Sequence, residues 1–161
     1  MFNLKAELYL KIIFLFSFIA LISAFFIEHV LGYQPCNLCL IERIPYGLSI
    51  IIIMVAFLTK KNQKFLILLL ILTFIFSFAI SFYHYGIEQG FFQESSICGL
   101  KDFTESITKE DLLKQLSEKT TSCRDVTFRI FGLSLTSINI VISLLFIITL
   151  LKIFTKYEKN K

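Results

Sequence analysis

Pro35-Cys36-Asn37-Leu38-Cys39-Leu40-Ile41-Glu42-Arg43 is the stretch that decides how the chain is organised, because it sets two cysteines at the junction between two long apolar segments. A dithiol placed there sits at a membrane surface and not inside a soluble core. If the second apolar segment becomes helical near Cys36, the step of about 100° per residue brings Cys36, Cys39 and Arg43 within about 60° of one another on one face. A thiolate is the nucleophilic form of cysteine, and both a nearby cation and a helix N-terminus stabilise it. The spacing therefore suits a redox dithiol. A structural disulfide is the first alternative; chain-entropy bookkeeping gives a loop of about four residues roughly 2 kcal/mol, against roughly 3.5 kcal/mol for one of about twenty-five. A zinc half-site is the second, but Cys98 and Cys123 are far apart and make no second C-x-x-C. Haem attachment fails, since Leu40 stands where C-x-x-C-H needs its histidine.

Working outward, the composition is that of a membrane protein. Of 161 residues 56% are hydrophobic and 17% charged, with nineteen Phe and no Trp, and the mean hydropathy is +0.76. Four apolar runs are long enough to cross a hydrocarbon core of about 30 Å: 9–27, 38–58, 65–85 and 133–154. The first is longer than the apolar region of a cleaved leader and no clean small-x-small site follows it, so it is expected to be retained. The second reaches spanning length only by starting near Asn37. Pro45 then removes one backbone hydrogen bond, kinks the first turns and frees the Ile41 carbonyl beside the cysteines.

Four spans put both termini and the 60–64 turn on one side. That side carries nine lysines (Lys5, Lys11, Lys60, Lys61, Lys64, Lys152, Lys156, Lys159, Lys161) against Glu7 and Glu158, a net +7. The other side carries seven basic and ten acidic residues, a net −3, and the two make up the chain's +4. The positive-inside rule makes the lysine-rich side cytoplasmic. All four cysteines then lie on the outer side, Cys36 in loop 28–37, Cys39 at the very start of the second span and Cys98 and Cys123 in loop 86–132, where disulfides persist. The basic residues are accounted for by this asymmetry, and no basic stripe with interleaved aromatics, Gly-rich phosphate loop or internal repeat points to nucleic acid or nucleotide.

Within the larger outer loop, 108–119 begins with Thr108 and Asp111 in a near capping box and continues with Leu112, Leu113 and Leu116 on one side. It is expected to be a short amphipathic helix lying on the membrane surface or on the helix tops, or a small solvated one. Cys98 and Cys123 flank it. A bridge between them would tether this segment, as a structural staple or as an exchangeable disulfide. His29, His84, Glu28 and Glu88 fall near the outer ends of spans, where ionisable groups serve proton transfer or reach for interfacial water. Tyr33, Tyr46, Tyr83 and Tyr85 fit an aromatic belt.

These features together resemble the disulfide bond formation protein B (DsbB) family of quinone-dependent inner-membrane oxidases of Gram-negative bacteria. The resemblance rests on four spans, a first outer loop ending in P-C-x-x-C-x-x-E-R, and a second with two spaced cysteines. Glu28-His29-Val30 before the first pair and C-x-x-x-x-F-x-x-F-G-L-S from Cys123 to Ser134 add to it. It implies an all-α membrane protein, a four-helix bundle, working as a thiol:quinone oxidoreductase. Cys98 and Cys123 would meet a periplasmic DsbA-like thiol oxidase, with Cys98 forming the mixed disulfide. Cys36 and Cys39 would pass electrons to ubiquinone or menaquinone from the membrane pool, with Cys39 facing the ring and Arg43, Glu42 and His84 at the quinone site; no metal is expected. Two other readings compete: a vitamin K epoxide reductase-like protein, whose C-x-x-C comes later in the chain, and a four-span adaptor with two inert disulfides.

Overall fold

The computed structural model describes residues 4–59, 62–94, 98, 122–124, 129–130 and 132–159. Helix α1 spans Leu4–His29, α2 Asn37–Thr59, α3 Gln63–Glu88 and α4 Leu135–Lys159. Each contains a stretch long and apolar enough to cross a membrane, and the chain is an all-α, multi-pass membrane protein. The expected surface helix at 108–119 lies outside the described residues. The fourth helix starts two residues later than its apolar run, because Leu133–Ser134 pairs antiparallel with Arg129–Ile130. Gly132, at φ +83°, supplies the left-handed turn between them.

The outward surfaces of the helices are apolar: Leu15, Ile22, Ile51, Leu72, Phe76 and Leu145 are all exposed, as lipid-facing positions should be. Interior packing divides in two. Leu10, Ile13, Ile53, Ile67, Leu70, Phe74 and Leu150 form a fully buried apolar layer, in which Phe74 meets Phe146 edge to face at 5.0 Å. Towards the cysteine end the interior becomes polar. Glu42, Tyr46 and Ser49 on α2, Ser77, Ser81 and His84 on α3, and Thr136, Asn139 and Ser143 on α4 are all buried, and in each helix they recur at spacings of three and four.

Asn139 ties the three helices together. Its Nδ2 donates to Glu42 Oε2 at 3.1 Å and to Ser81 Oγ at 2.7 Å, and its Oδ1 accepts the Tyr46 hydroxyl. Deeper, Ser77 and Ser143 share a hydrogen bond of 3.1 Å, and Ser49 donates to Ser17 of α1 at 3.0 Å. With no water in the hydrocarbon, such groups must satisfy one another.

Helix α3 runs one turn past its expected end and stops in a Schellman motif. Gly90, φ +78°, sends its N–H to the Ile87 carbonyl at 3.0 Å and Phe91 sends its own to Gly86 at 2.8 Å. The turn folds Phe92 back over Gly86, where an added Cβ would collide with the ring, and stacks it on Tyr83 with centroids 5.6 Å apart. The outer loop is thereby started back across the mouth of the bundle. Asn139→Leu should leave the Glu42 carboxylate, the Tyr46 hydroxyl and Ser81 short of partners and cost roughly 1–2 kcal/mol. A lower thermal midpoint of the detergent-solubilised variant would register this, and an unchanged midpoint would deny Asn139 its tying role.

Candidate functional site

The site begins with the way α2 starts. Leu40 N–H donates to the Cys36 carbonyl at 3.2 Å, which makes Cys36 the N-cap residue, and the Cys39 N–H donates to Cys36 Sγ at 3.3 Å. The sulfur therefore takes the place that a Ser or Thr oxygen holds in ordinary capping. The i, i+3 spacing of C-x-x-C is the spacing of N-cap to third helical residue, so the same hydrogen bond orders the helix end and stabilises negative charge on sulfur. Cys36 Sγ and Cys39 Sγ stand 2.7 Å apart as free cysteines.

Across the bundle, the last turns of α3 bring His84 to the pair. Its Nε2 lies 3.6 Å from Cys36 Sγ and its Nδ1 2.8 Å from Glu42 Oε1. Cys36, His84 and Glu42 form a thiol–imidazole–carboxylate line, with the carboxylate fixed from behind by Asn139. The hydrogen bond from Cys39 pulls the Cys36 thiol down to a pKa of about 5; burial opposes this, and the hydrogen bond and positive charge of His84 assist it. Thr136 Oγ1 lies 3.3 Å from His84 Nδ1 and donates to Glu88 Oε1 at 2.7 Å. Glu88 Oε2 is buried with no hydrogen-bond partner among the described residues.

Cys98 and Cys123 form a disulfide, Cα–Cα 5.6 Å, and both are only 2% exposed. They pack with Cys36, Leu38 and Ile87 in one cluster, against which Cys39, Ile41 and Tyr83 also lie. Four cysteines separated by up to 87 positions thus share one neighbourhood. Glu94 holds the returning strand of the loop there, accepting hydrogen bonds from the Ser122 hydroxyl and, at 2.9 Å, from the Arg124 N–H. Beside the cluster opens a cavity of about 350 Å³. Phe16, Ile19, Ile138 and Ile142 are among its apolar walls, and its polar end holds both C-x-x-C cysteines, Arg43 and His84.

The chain matches the family described as disulfide bond formation protein DsbB over residues 6–153. It belongs to that family. An uncharacterized protein of Rickettsia prowazekii (strain Madrid E) is 32% identical over 147 residues, covering 90% of this chain and 86% of the relative. Membership points to disulfide-forming thiol oxidoreductase chemistry at a membrane, and it favours the DsbB pattern over the vitamin K epoxide reductase-like one.

Arg43 sits differently from its simplest expectation. Its Nη1 is 2.5 Å from Glu28 Oε2 and its guanidinium lies over the Phe25 ring at 5.3 Å, so α1 holds the cation at the cavity wall. The charge that assists the pair comes from His84, and the sulfur it assists is Cys36. Glu42 lines the cavity but gives its two oxygens to His84 and Asn139. His29 stays outside the site, its Nδ1–H on the Phe25 carbonyl at 3.1 Å.

Thr136 and Asn139 were not singled out from the sequence, although a signal was there. Polar residues at 136, 139 and 143 in an otherwise apolar span mark one inward face. Alkylation of the reduced protein should find Cys36 reacting as thiolate with a midpoint near pH 5, where an ordinary thiol titrates at about 8.5. His84→Gln should move that midpoint upward, read by mass spectrometry of the alkylated peptide. A midpoint that stays put in His84→Gln would remove the histidine from thiolate stabilisation.

Proposed function

We propose that the protein is a thiol:quinone oxidoreductase that reoxidises a periplasmic DsbA-like dithiol oxidase, passing two electrons through its two cysteine pairs to ubiquinone or menaquinone. The observation that carries this reading is the packing of the Cys98–Cys123 disulfide against the Cys36/Cys39 pair at the polar end of an apolar cavity. The lysine asymmetry of the sequence supports an orientation with termini in the cytoplasm and cysteines in the periplasm.

The exchange balances in three steps. A thiolate of the reduced partner attacks the Cys98–Cys123 disulfide at Cys98 and releases the Cys123 thiolate, and the partner's second thiol resolves the mixed disulfide. The loop dithiol then reduces a Cys36–Cys39 disulfide, and finally the Cys36/Cys39 dithiol gives up two electrons and two protons and closes again. Because Cys98 is buried, docking of the partner has to lift the loop off α3 before the first attack.

The cavity fits a quinone in size and in chemistry: its volume falls in the range of small-molecule sites, and apolar walls converge on a few polar groups. When bound, a quinone supplies a two-electron, two-proton acceptor. Arg43 would hold it, with one N–H engaged by Glu28 and others of its five directed elsewhere. His84 takes the Cys36 proton as the thiolate forms, and Glu42 holds the resulting imidazolium, as the carboxylate does in Ser-His-Asp sites. The apolar walls exclude water, which keeps these electrostatic contacts strong.

Cys123→Ser should accumulate a mixed disulfide through Cys98 when oxidised partner is supplied outside sealed, right-side-out vesicles, the Cys98 thiolate opening the partner's disulfide and releasing its second thiol. An adduct mapping to Cys36 or Cys39 would reverse the order of the relay, and one formed only from the inner face would reverse the orientation. In the purified protein, thiol oxidation should depend on added quinone. Arg43→Met should raise the quinone concentration needed for half-maximal turnover by about tenfold or more, about 1.4 kcal/mol or more, and Arg43→Lys by less. A well-folded Arg43→Met protein with unchanged quinone dependence would leave Arg43 as an anchor of α2 to α1.

A further inference from the structure

Cys36 Sγ, Cys39 Sγ and a ligand atom of His84 all lie within 4.8 Å of one another. The objection that this C-x-x-C lacks a second cysteine pair for a metal loses its force, because α3 brings a nitrogen ligand from 48 positions away. We propose that the reduced Cys36/Cys39 pair, His84 Nε2 and Glu88 form a site for a thiophilic divalent cation of the zinc type, available only while the pair is a dithiol. This goes beyond the quinone reading and depends on it in no respect.

Three features support the assignment. The ligand types are those of four-coordinate zinc: two sulfurs, an imidazole nitrogen and a carboxylate oxygen, at bond lengths of about 2.0–2.3 Å. The histidine is oriented for it, since Nδ1–H donating to Glu42 Oε1 at 2.8 Å turns Nε2 towards the sulfurs, where loss of its proton as a cation binds exposes the lone pair. A carboxylate behind a histidine in this way is the usual outer partner of a metal-ligating imidazole. Glu88 is the carboxylate assigned to the fourth position: its side chain is 5% exposed and its Oε1, bound by Thr136, lies 3.9 Å from His84 Nε2 but outside the cluster of two sulfurs and imidazole nitrogen, so it has to swing towards them to ligate. Its Oε2 is the buried oxygen without a partner among the described residues. Among the described residues, hydrogen bonding within the protein accounts for the other buried side-chain oxygens at this end of the site, and a cation would give this one a partner.

Binding is not a redox step. Two thiols and M²⁺ give a dithiolate-bound M²⁺ and two released protons, with each sulfur turning about its Cα–Cβ bond to widen the present 2.7 Å separation. Oxidation to the disulfide removes both thiolates and the site with them. A bound cation would therefore hold the inner pair reduced until a chelator withdraws it.

Cobalt(II) tests this, because thiolate ligation gives it an ultraviolet charge-transfer band and tetrahedral geometry gives intense visible bands. Full-length protein freed of quinone, reduced with a non-chelating phosphine and desalted should bind cobalt with both signatures; in a Cys98→Ala/Cys123→Ala background, which leaves Cys36 and Cys39 as the only cysteines, it should bind one, and reoxidation to the Cys36–Cys39 disulfide should remove both signatures. Cys36→Ser should weaken cobalt binding and cut the charge-transfer intensity to that of a single thiolate or less. Glu42→Gln, which keeps every proposed ligand, should weaken binding about 10–100-fold, and zinc should displace the cobalt. Helical circular dichroism would verify that each variant is folded. Equal cobalt affinity and spectra in His84→Ala, or a band that survives oxidation of the inner pair, would overturn the site, as would failure of the reduced wild type to bind. Loss of quinone-dependent activity has no bearing on these readouts, so the two readings fail separately.

Discussion

The hydrogen bond between His84 Nδ1 and Glu42 Oε1 is the contact on which the functional end of the molecule depends. It joins α3 to α2 inside an apolar bundle, where an unpaired carboxylate or imidazole would be costly. Every neighbour is arranged around keeping that pair satisfied. Asn139 donates to the second carboxylate oxygen, Ser81 and Tyr46 complete the Asn139 amide, and Thr136 lies beside the ring. The remaining ring nitrogen, Nε2, faces Cys36. Thiol chemistry is thus attached to a polar core that also fixes how three helices pack.

The bilayer as solvent explains why the arrangement is so one-sided. Lipid-facing positions carry Leu, Ile and Phe, and the polar side chains turn inward because only other protein groups can satisfy them. The polar groups gather at the cysteine end, while Leu10, Ile53, Leu70, Phe74 and Leu150 fill the interior elsewhere. A cavity with an apolar wall and a reactive polar end follows from the meeting of these two layers. The same division suits a ligand that reaches the site through the membrane.

Two local devices position the sulfurs. At the start of α2, a cysteine in the N-cap place turns an unsatisfied helical N–H into a stabiliser of thiolate. At the end of α3, the Schellman turn and the close fit of Phe92 on Gly86 direct the outer loop back over the bundle. Glu94 then fastens the far side of that loop next to Cys123. The result is that the loop disulfide is buried and adjoins the inner pair, rather than waiting in a mobile segment.

The sequence by itself determined the four spans, the gathering of the cysteines towards one end of them, the C-x-x-C at a helix start and the family pattern. Each of these depends on runs of apolar residues, on charge counts or on spacings within a few residues. Helix α3 outran its apolar run at Gly86 and Glu88, residues that packing and not hydropathy keeps helical. Tertiary structure alone decided that Cys98 bonds Cys123 against Cys36, that Glu28 holds Arg43, and that His84, bonded to Glu42, lies beside the Cys36 thiol. Those choices depend on the rotation and approach of helices whose partners lie 15 to 97 positions apart. Periodicity shows which face of a helix is polar, but which atom on one helix meets which on another is set by close packing of the whole bundle.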